Sequence, residues 1–160
     1  MAFFLLTLVI PLAVHAGQFK VTRVYDGDTV KAEGYEVEIK VRLVGIDAPE
    51  TSKSKRQEGQ PFSQQATKFL AGLVLNKVVD IKGYGMDGYG RVLGVITADG
   101  NDVNLEMVRA GYAEVYRGKA PHGFDQEAYL RAEQEAREGK RGMWTLGGRY
   151  VSPREWRRME

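Results

Sequence analysis

The sequence predicts an α+β fold. In the first half of the chain apolar residues recur at every second position, most clearly at Val37, Ile39, Val41 and Leu43, which is the spacing of a half-buried strand. Further on, Phe62, Ala66, Phe69, Leu70 and Leu73 recur at helical spacing, and a second helical segment runs from Phe124 to Arg137. Strands that precede and surround the helices, without regular alternation, point to α+β and away from a doubly wound sheet.

Taken in order, Gln18 to Tyr25 alternates apolar and polar residues and reads as a strand. Asp26-Gly27-Asp28 is a turn. Thr29 to Ala32 resumes a strand, Gly34 allows a reversal, and the strand through Leu43 puts Arg42 on the face opposite Val41 and Leu43. The polar and basic stretch Ser52 to Gln60, with Lys53, Lys55 and Arg56, is a loop. Pro61 suits the first turn of the helix that follows. Val78 to Ile81 and Val92 to Ile96 read as strands around a reversal between Gly83 and Gly90. A short helix is expected from Val103, stopped by Gly111. In the last helix, which Gly139 terminates, Leu130 and Ala136 are expected to face inward. These segments give five strands and about three helices.

The 160 residues suit one domain, and 43% of them are hydrophobic, enough for a modest core. A formal net charge of +2 permits a polyanionic partner without demanding one. With no cysteine the fold has neither disulfides nor thiolate zinc sites. Residues 1–16 form an apolar run ending in small residues and read as a signal peptide cleaved after Ala16, with an uncleaved anchor as the alternative. The run is short for a membrane span and contains Pro11. A secreted or periplasmic protein without stable membrane association is expected. Residues 17–148 then make the domain, and 149–160 a basic tail with Arg149, Arg154, Arg157 and Arg158, either solvated or in weak contact with a polyanion. A monomer is expected.

The chemistry concentrates in Asp26-Gly27-Asp28-Thr29 and in the run from Arg42 to Glu50. Asp28 and Asp47 are short, hard oxygen ligands suited to a divalent cation such as calcium. Glu50 reaches further and could act as a general base on water. Arg42 could hold a phosphate oxygen with two hydrogen bonds. These are the parts for metal-assisted phosphodiester hydrolysis. Taken singly they have plainer readings: turn-forming aspartates, a loop glutamate, exposed arginines.

The segment from Asp26 to Glu50 resembles the signature of the thermonuclease (staphylococcal nuclease-like) family. Asp87-Gly88-Tyr89-Gly90-Arg91-Val92-Leu93-Gly94 matches a second signature, and Val108 to Ala113 also resembles the family. The resemblance implies an OB-fold-like five-stranded barrel with helices packed beside it. It implies a Ca2+ cofactor held by Asp28, Asp47 and the carbonyl of Ala48, with Glu50 as general base. It also implies Arg42 and Arg91 on the scissile phosphate, Tyr89 near the nucleotide and Tyr116 as a base-stacking platform. DNA and RNA substrates and 3′-phosphate ends follow from the same resemblance. Gly88 departs from the family pattern, which has a cation there. His122 is read as an exposed loop residue, and Trp144 and Trp156 as packing residues. Two rivals are a non-catalytic nucleic-acid-binding OB-fold module and a domain in which metal only holds a loop.

Overall fold

A computed structural model describes residues 17–52 and 58–159. The expected signal peptide at 1–16, and Lys53, Lys55 and Arg56 of the basic loop, lie outside the described residues. The strands are β1 (Gly17–Val24), β2 (Thr29–Gly34), β3 (Val37–Leu43), β4 (Ile46–Asp47), β5 (Val78–Met86), β6 (Val92–Ala98), β7 (Asn101–Asp102) and β8 (Glu114–Val115). The helices are α1 (Ser63–Val74), α2 (Val103–Arg109), α3 (Glu127–Glu138) and α4 (Pro153–Met159), with a kinked 3-10 segment at Gly142–Arg149.

The main sheet runs β3-β2-β1-β5-β6-β7, and β3 pairs again with β6, so five strands close into a barrel with β7 as an additional strand. The closing pair is parallel, with Val41 opposite Val92 and Arg42 opposite Leu93, whereas the other ladders are antiparallel. Period-two alternation sends Val21, Val30, Val41, Leu43 and Ile96 inward, each at most 1% exposed. Leu70 and Val74 of α1, and Met107 and Val108 of α2, join the same core. Burying such side chains contributes roughly 1.5–3 kcal/mol each.

Asn104 is completely buried at the start of α2. Its amide donates to the carbonyls of Val44 and Gly94, both at 3.0 Å, and its Oδ1 accepts from the Ile96 N–H at 3.2 Å. One side chain thus ties α2 to the barrel wall beside the β3–β4 connection.

Several expectations need correction. Pro61 lies in a turn before α1, and Phe62 takes the cap position with φ 71°. Helix α3 starts at Glu127, after the expected Phe124, and buries Tyr129, Ala132, Glu133 and Ala136, leaving Leu130 40% exposed. The stripe at Tyr129, Ala132, Glu133 and Ala136 keeps helical spacing, so Leu130 falls one position off it. Strand β5 continues to Met86 through the glycines that suggested a reversal, so the turn is confined to the residues after it. The two-residue ribbon of β4 and β8 was invisible to periodicity because each strand is too short to alternate. The tail is not detached: Tyr150 packs on Trp144 with ring centroids 4.5 Å apart, Pro153 is buried, and α4 makes a fourth α-helix. Trp156 lines a small cavity of about 30 Å³ with Gln60, Met143 and Tyr150, which fits its expected packing role.

Candidate active site

Three chain segments meet at the rim of the barrel. The first is the turn Asp26-Gly27-Asp28. The Asp28 N–H donates to Asp26 Oδ1 at 3.0 Å, closing a local Asx-type turn. Gly27 is required by close approach: a Cβ there would sit 2.7 Å from Ala48 Cβ and 2.8 Å from Ala66 Cβ. The turn therefore presses against both the second segment and α1.

The second segment is β3 through Glu50. Gly45, with φ 80°, turns the chain between β3 and β4 above the ring of Phe124, where a Cβ would clash at 2.3 Å. That turn brings Asp47 back alongside Arg42. Arg42 bridges the two aspartates, with Nη1 paired to Asp28 Oδ2 and Nη2 on Asp47 Oδ1 at 3.0 Å. Asp28 also accepts from the Ala48 N–H at 2.9 Å and the Thr29 hydroxyl at 3.0 Å. Asp28 and Asp47 are 7% and 2% exposed. Burial lowers the Arg42 pKa against the upward pull of Asp47 and Asp26. Burial likewise raises the Asp26 carboxyl, opposed by Arg42 and Thr29. Asp26, named in the sequence only as a turn residue, is thus part of the charged cluster.

Glu50 is fixed through its backbone. Its N–H donates to Gln60 Oε1 at 3.0 Å, its carbonyl accepts the Gln60 N–H at 2.8 Å, and Gln60 Nε2 donates onward to the Val151 carbonyl at 2.7 Å. Gln60 is 4% exposed, so the 50–60 loop is pinned at its base and linked to the chain end.

The third segment is the β5–β6 turn. Asp87 accepts from the N–H groups of Tyr89 (2.9 Å) and Arg91 (3.0 Å) and from Arg91 Nε (2.7 Å). This clasp aims Arg91 toward Thr29, whose hydroxyl lies 3.5 Å from Nη1. Tyr89 is 88% exposed, with the Arg91 guanidinium 5.5 Å from its ring centre. Tyr116 follows β8, donates its N–H to the Gly45 carbonyl at 2.9 Å and is half-exposed. Arg42, Arg91, Tyr89 and Tyr116 line one open hollow of about 280 Å³. His122 is exposed and outside that lining. Gly88 has open space where a side chain would begin.

A fourth contributor comes from the tail. Arg157 of α4 grips Asp47 with Nη2 on Oδ2 at 2.8 Å and Nη1 on Oδ1 at 3.0 Å, and Nη1 also pairs with Glu50 Oε1. Hydrogen bonding to Asp47, followed by Glu50, raises the Arg157 pKa beyond its ordinary value, against desolvation. Arg157 thus remains partly exposed but is engaged by two carboxylates of the site, a contact the reading of a basic tail did not include.

The donor set of Asp28, Asp47 and the Ala48 carbonyl is all hard oxygen and fits calcium by type. Among the described residues no group of three or more acidic or histidine side chains is gathered for a cation. The carboxylates are turned onto guanidiniums instead.

The model of the family described as staphylococcal nuclease homologue matches residues 40–146. The chain belongs to that family. Among similar proteins, an "uncharacterized endonuclease" of Escherichia coli is 39% identical over 140 residues, which are 86% of this chain and 83% of that protein. A "probable endonuclease LCL3" of Komagataella phaffii is 39% identical over 127 residues, 76% of this chain and 55% of that protein. Its counterpart in Pyricularia oryzae is 40% identical over 125 residues, 74% of this chain and 48% of that one. The chain spans about half the length of these fungal relatives.

The family match starts after Asp28 and ends before Arg157, yet both side chains reach the same carboxylate cluster. Sequence reading missed Gln60, Asp87 and Arg157 as parts of the site. Ser152-Pro153-Arg154-Glu155 is a capping-box pattern, which signals a helix in the tail but not where Arg157 reaches. Ser152 Oγ accepts the Glu155 N–H at 3.2 Å while Glu155 Oε2 accepts from the Ser152 N–H, also at 3.2 Å. Nothing in the sequence pointed to Gln60.

Proposed function

We propose that this chain is a calcium-dependent nuclease that hydrolyses phosphodiester bonds of DNA and RNA with low sequence specificity and leaves 3′-phosphate ends. The observation that carries the reading is the meeting of Arg42, Asp28, Asp47 and Glu50 in one cluster at the edge of a hollow that also holds Arg91. Membership of the staphylococcal nuclease homologue family, with relatives named as endonucleases, supports it.

Asp28, Asp47 and the Ala48 carbonyl would hold calcium, which supplies positive charge near the phosphate and near the attacking water. Glu50 takes a proton from that water. The water oxygen bonds to phosphorus as the bond to the 5′-oxygen breaks, and solvent water protonates the departing oxygen. Arg42 and Arg91 donate to phosphoryl oxygens, where charge grows in the transition state. Tyr89 and Tyr116 offer aromatic faces to bases of any sequence. With water as nucleophile no 2′-hydroxyl is needed, so both nucleic acids serve. The apolar leader supports export to the periplasm or the medium, and mass spectrometry of exported protein is expected to find Gly17 at its N-terminus. Among the described residues no helix is long and apolar enough to cross a membrane.

One observation favours the rival reading of a non-catalytic binding module, namely the capture of Glu50 by Arg157. Plasmid DNA and a structureless RNA, each incubated with purified protein plus calcium and then plus chelator, separate the two. Calcium-dependent cleavage of both, with 3′-phosphate ends by end-group analysis, is expected. Binding without cleavage would establish the rival.

A further inference from the structure

Arg157 puts a guanidinium onto the face of Asp47 that a cation needs. Its two nitrogens take both Asp47 oxygens, and Nη1 reaches Glu50 as well, so one nitrogen is shared by the two carboxylates. Asp47 is almost fully buried and Arg42 also holds its Oδ1, so both oxygens of that carboxylate have a guanidinium partner and its open side is the one Arg157 covers.

The element that carries Arg157 suits exchange. Helix α4 has seven residues and lies at the chain end. It is anchored at its start, where Pro153 is buried and the Val151 carbonyl is held by Gln60, while Arg154, Glu155, Arg157, Arg158 and Met159 are exposed. Trp156 adds a second hold by packing near Gln60, Met143 and Tyr150, so the part that exchange must move is the end of the helix, Arg157 to Met159. Exposed Arg154 and Arg157 face a second hollow of about 280 Å³ that also reaches Asp47 and Tyr116, which gives a withdrawn guanidinium somewhere to go.

We propose that Arg157 is an internal competitor of the metal: it occupies the cation-binding face of Asp47 and covers Glu50, and the site loads only as the end of α4 withdraws. The inference rests on the calcium reading above and adds a residue outside the family match. Competition of this kind lowers apparent metal affinity by the weight of the closed state. It makes the calcium concentration at which the site fills a property of α4.

The test is calorimetric calcium titration of the full-length protein, wild type against Arg157→Gln, with Arg158→Gln as control. Arg158 has the same charge and sits on the same helix, and its carboxylate neighbour is Glu155. Arg157→Gln is expected to tighten calcium binding about tenfold, within the usual range of such couplings, and Arg158→Gln to leave it nearly unchanged. Hydrogen exchange supplies a second readout that does not depend on the variant folding well. In wild type, the amides of residues 154–159 should lose protection when calcium is added. Equal tightening in Arg158→Gln would make the effect one of bulk charge and overturn the proposal. Unchanged or weaker affinity in Arg157→Gln would also overturn it, the weaker case making Arg157 a positioning residue for Asp47. Retained protection of 154–159 on calcium addition would overturn it independently. Absence of calcium binding by wild type and both variants would sink the calcium reading as well, which distinguishes the two failures.

Discussion

Glu50 and Arg42 differ in what a substitution should expose. Glu50→Gln keeps the backbone exchange with Gln60 and removes the base together with the charge that pairs with Arg157. Arg42→Ala removes a phosphate donor and leaves two buried aspartates without their shared partner. Both are expected to cut cleavage by at least about 100-fold, since one transition-state donor or proton acceptor is typically worth that much. Circular dichroism checks that Glu50→Gln stays folded, and single-turnover cleavage measures the loss; wild-type rates in either variant would remove that residue from the mechanism. Gly88 allows the reverse experiment. Its added Cβ meets nothing within 4 Å, so Gly88→Lys installs a cation without strain. One exposed phosphate contact is worth about 1 kcal/mol and is screened by salt. Binding of a 3′,5′-bisphosphate nucleotide should tighten several-fold at low salt, with single-turnover cleavage little changed. No gain at low salt would place Gly88 away from the nucleotide. Asp28, Arg42, Asp47 and Glu50 were legible because each has a chemistry recognisable by type in a short run. Gln60 was not, because a buried glutamine that bridges two backbones has the sequence signature of any polar loop residue.

The β5–β6 turn works as a clasp whose strength depends on one carboxylate. Burial alone would raise the Asp87 pKa, but hydrogen bonds from Arg91 and Tyr89 outweigh it and hold the group below the ordinary carboxylate range. A carboxylate depressed in the folded state contributes stability that is present above its unfolded pKa and lost as pH falls through the folded value. The clasp should therefore be intact above about pH 4 and open in stronger acid. In NMR titration the amide resonances of Tyr89 and Arg91, which both donate to Asp87, should move together at a midpoint below about pH 4. Asp87→Asn should abolish that shared step, and a step that survives the substitution would assign it to another group. At this scale long elements were easy to read and short ones were not. β3 and α1 show their periods over many residues, whereas β4, β7 and β8 have two residues each. The extension of β5 to Met86 was hidden by Gly83 and Gly85, which sequence reading takes for turn residues.

For the whole molecule, the connection between barrel and helices passes through Asn104. Asn104→Ala leaves the Val44 and Gly94 carbonyls and the Ile96 N–H short of their side-chain partner. Loss of buried partners of this kind costs roughly 3 kcal/mol or more in total. Urea unfolding is expected to show that loss as a lower midpoint, and a change below about 1 kcal/mol would mean that water or backbone shifts replace the side chain. The barrel itself could not be read from periodicity, since closure depends on one parallel pairing between strands far apart in the sequence. Local pattern records which residues face inward and is silent on which distant strand seals the sheet. That same pairing decides when the chain becomes dangerous. Arg42 lies on the sealing strand and Arg91 just before its partner, so the two guanidiniums stand side by side only after closure. Contacts between segments so far apart form late, because loop closure must precede them. A newly made chain therefore carries every residue of the proposed centre and none of its arrangement, and the nucleic acids around it at that stage are out of its reach.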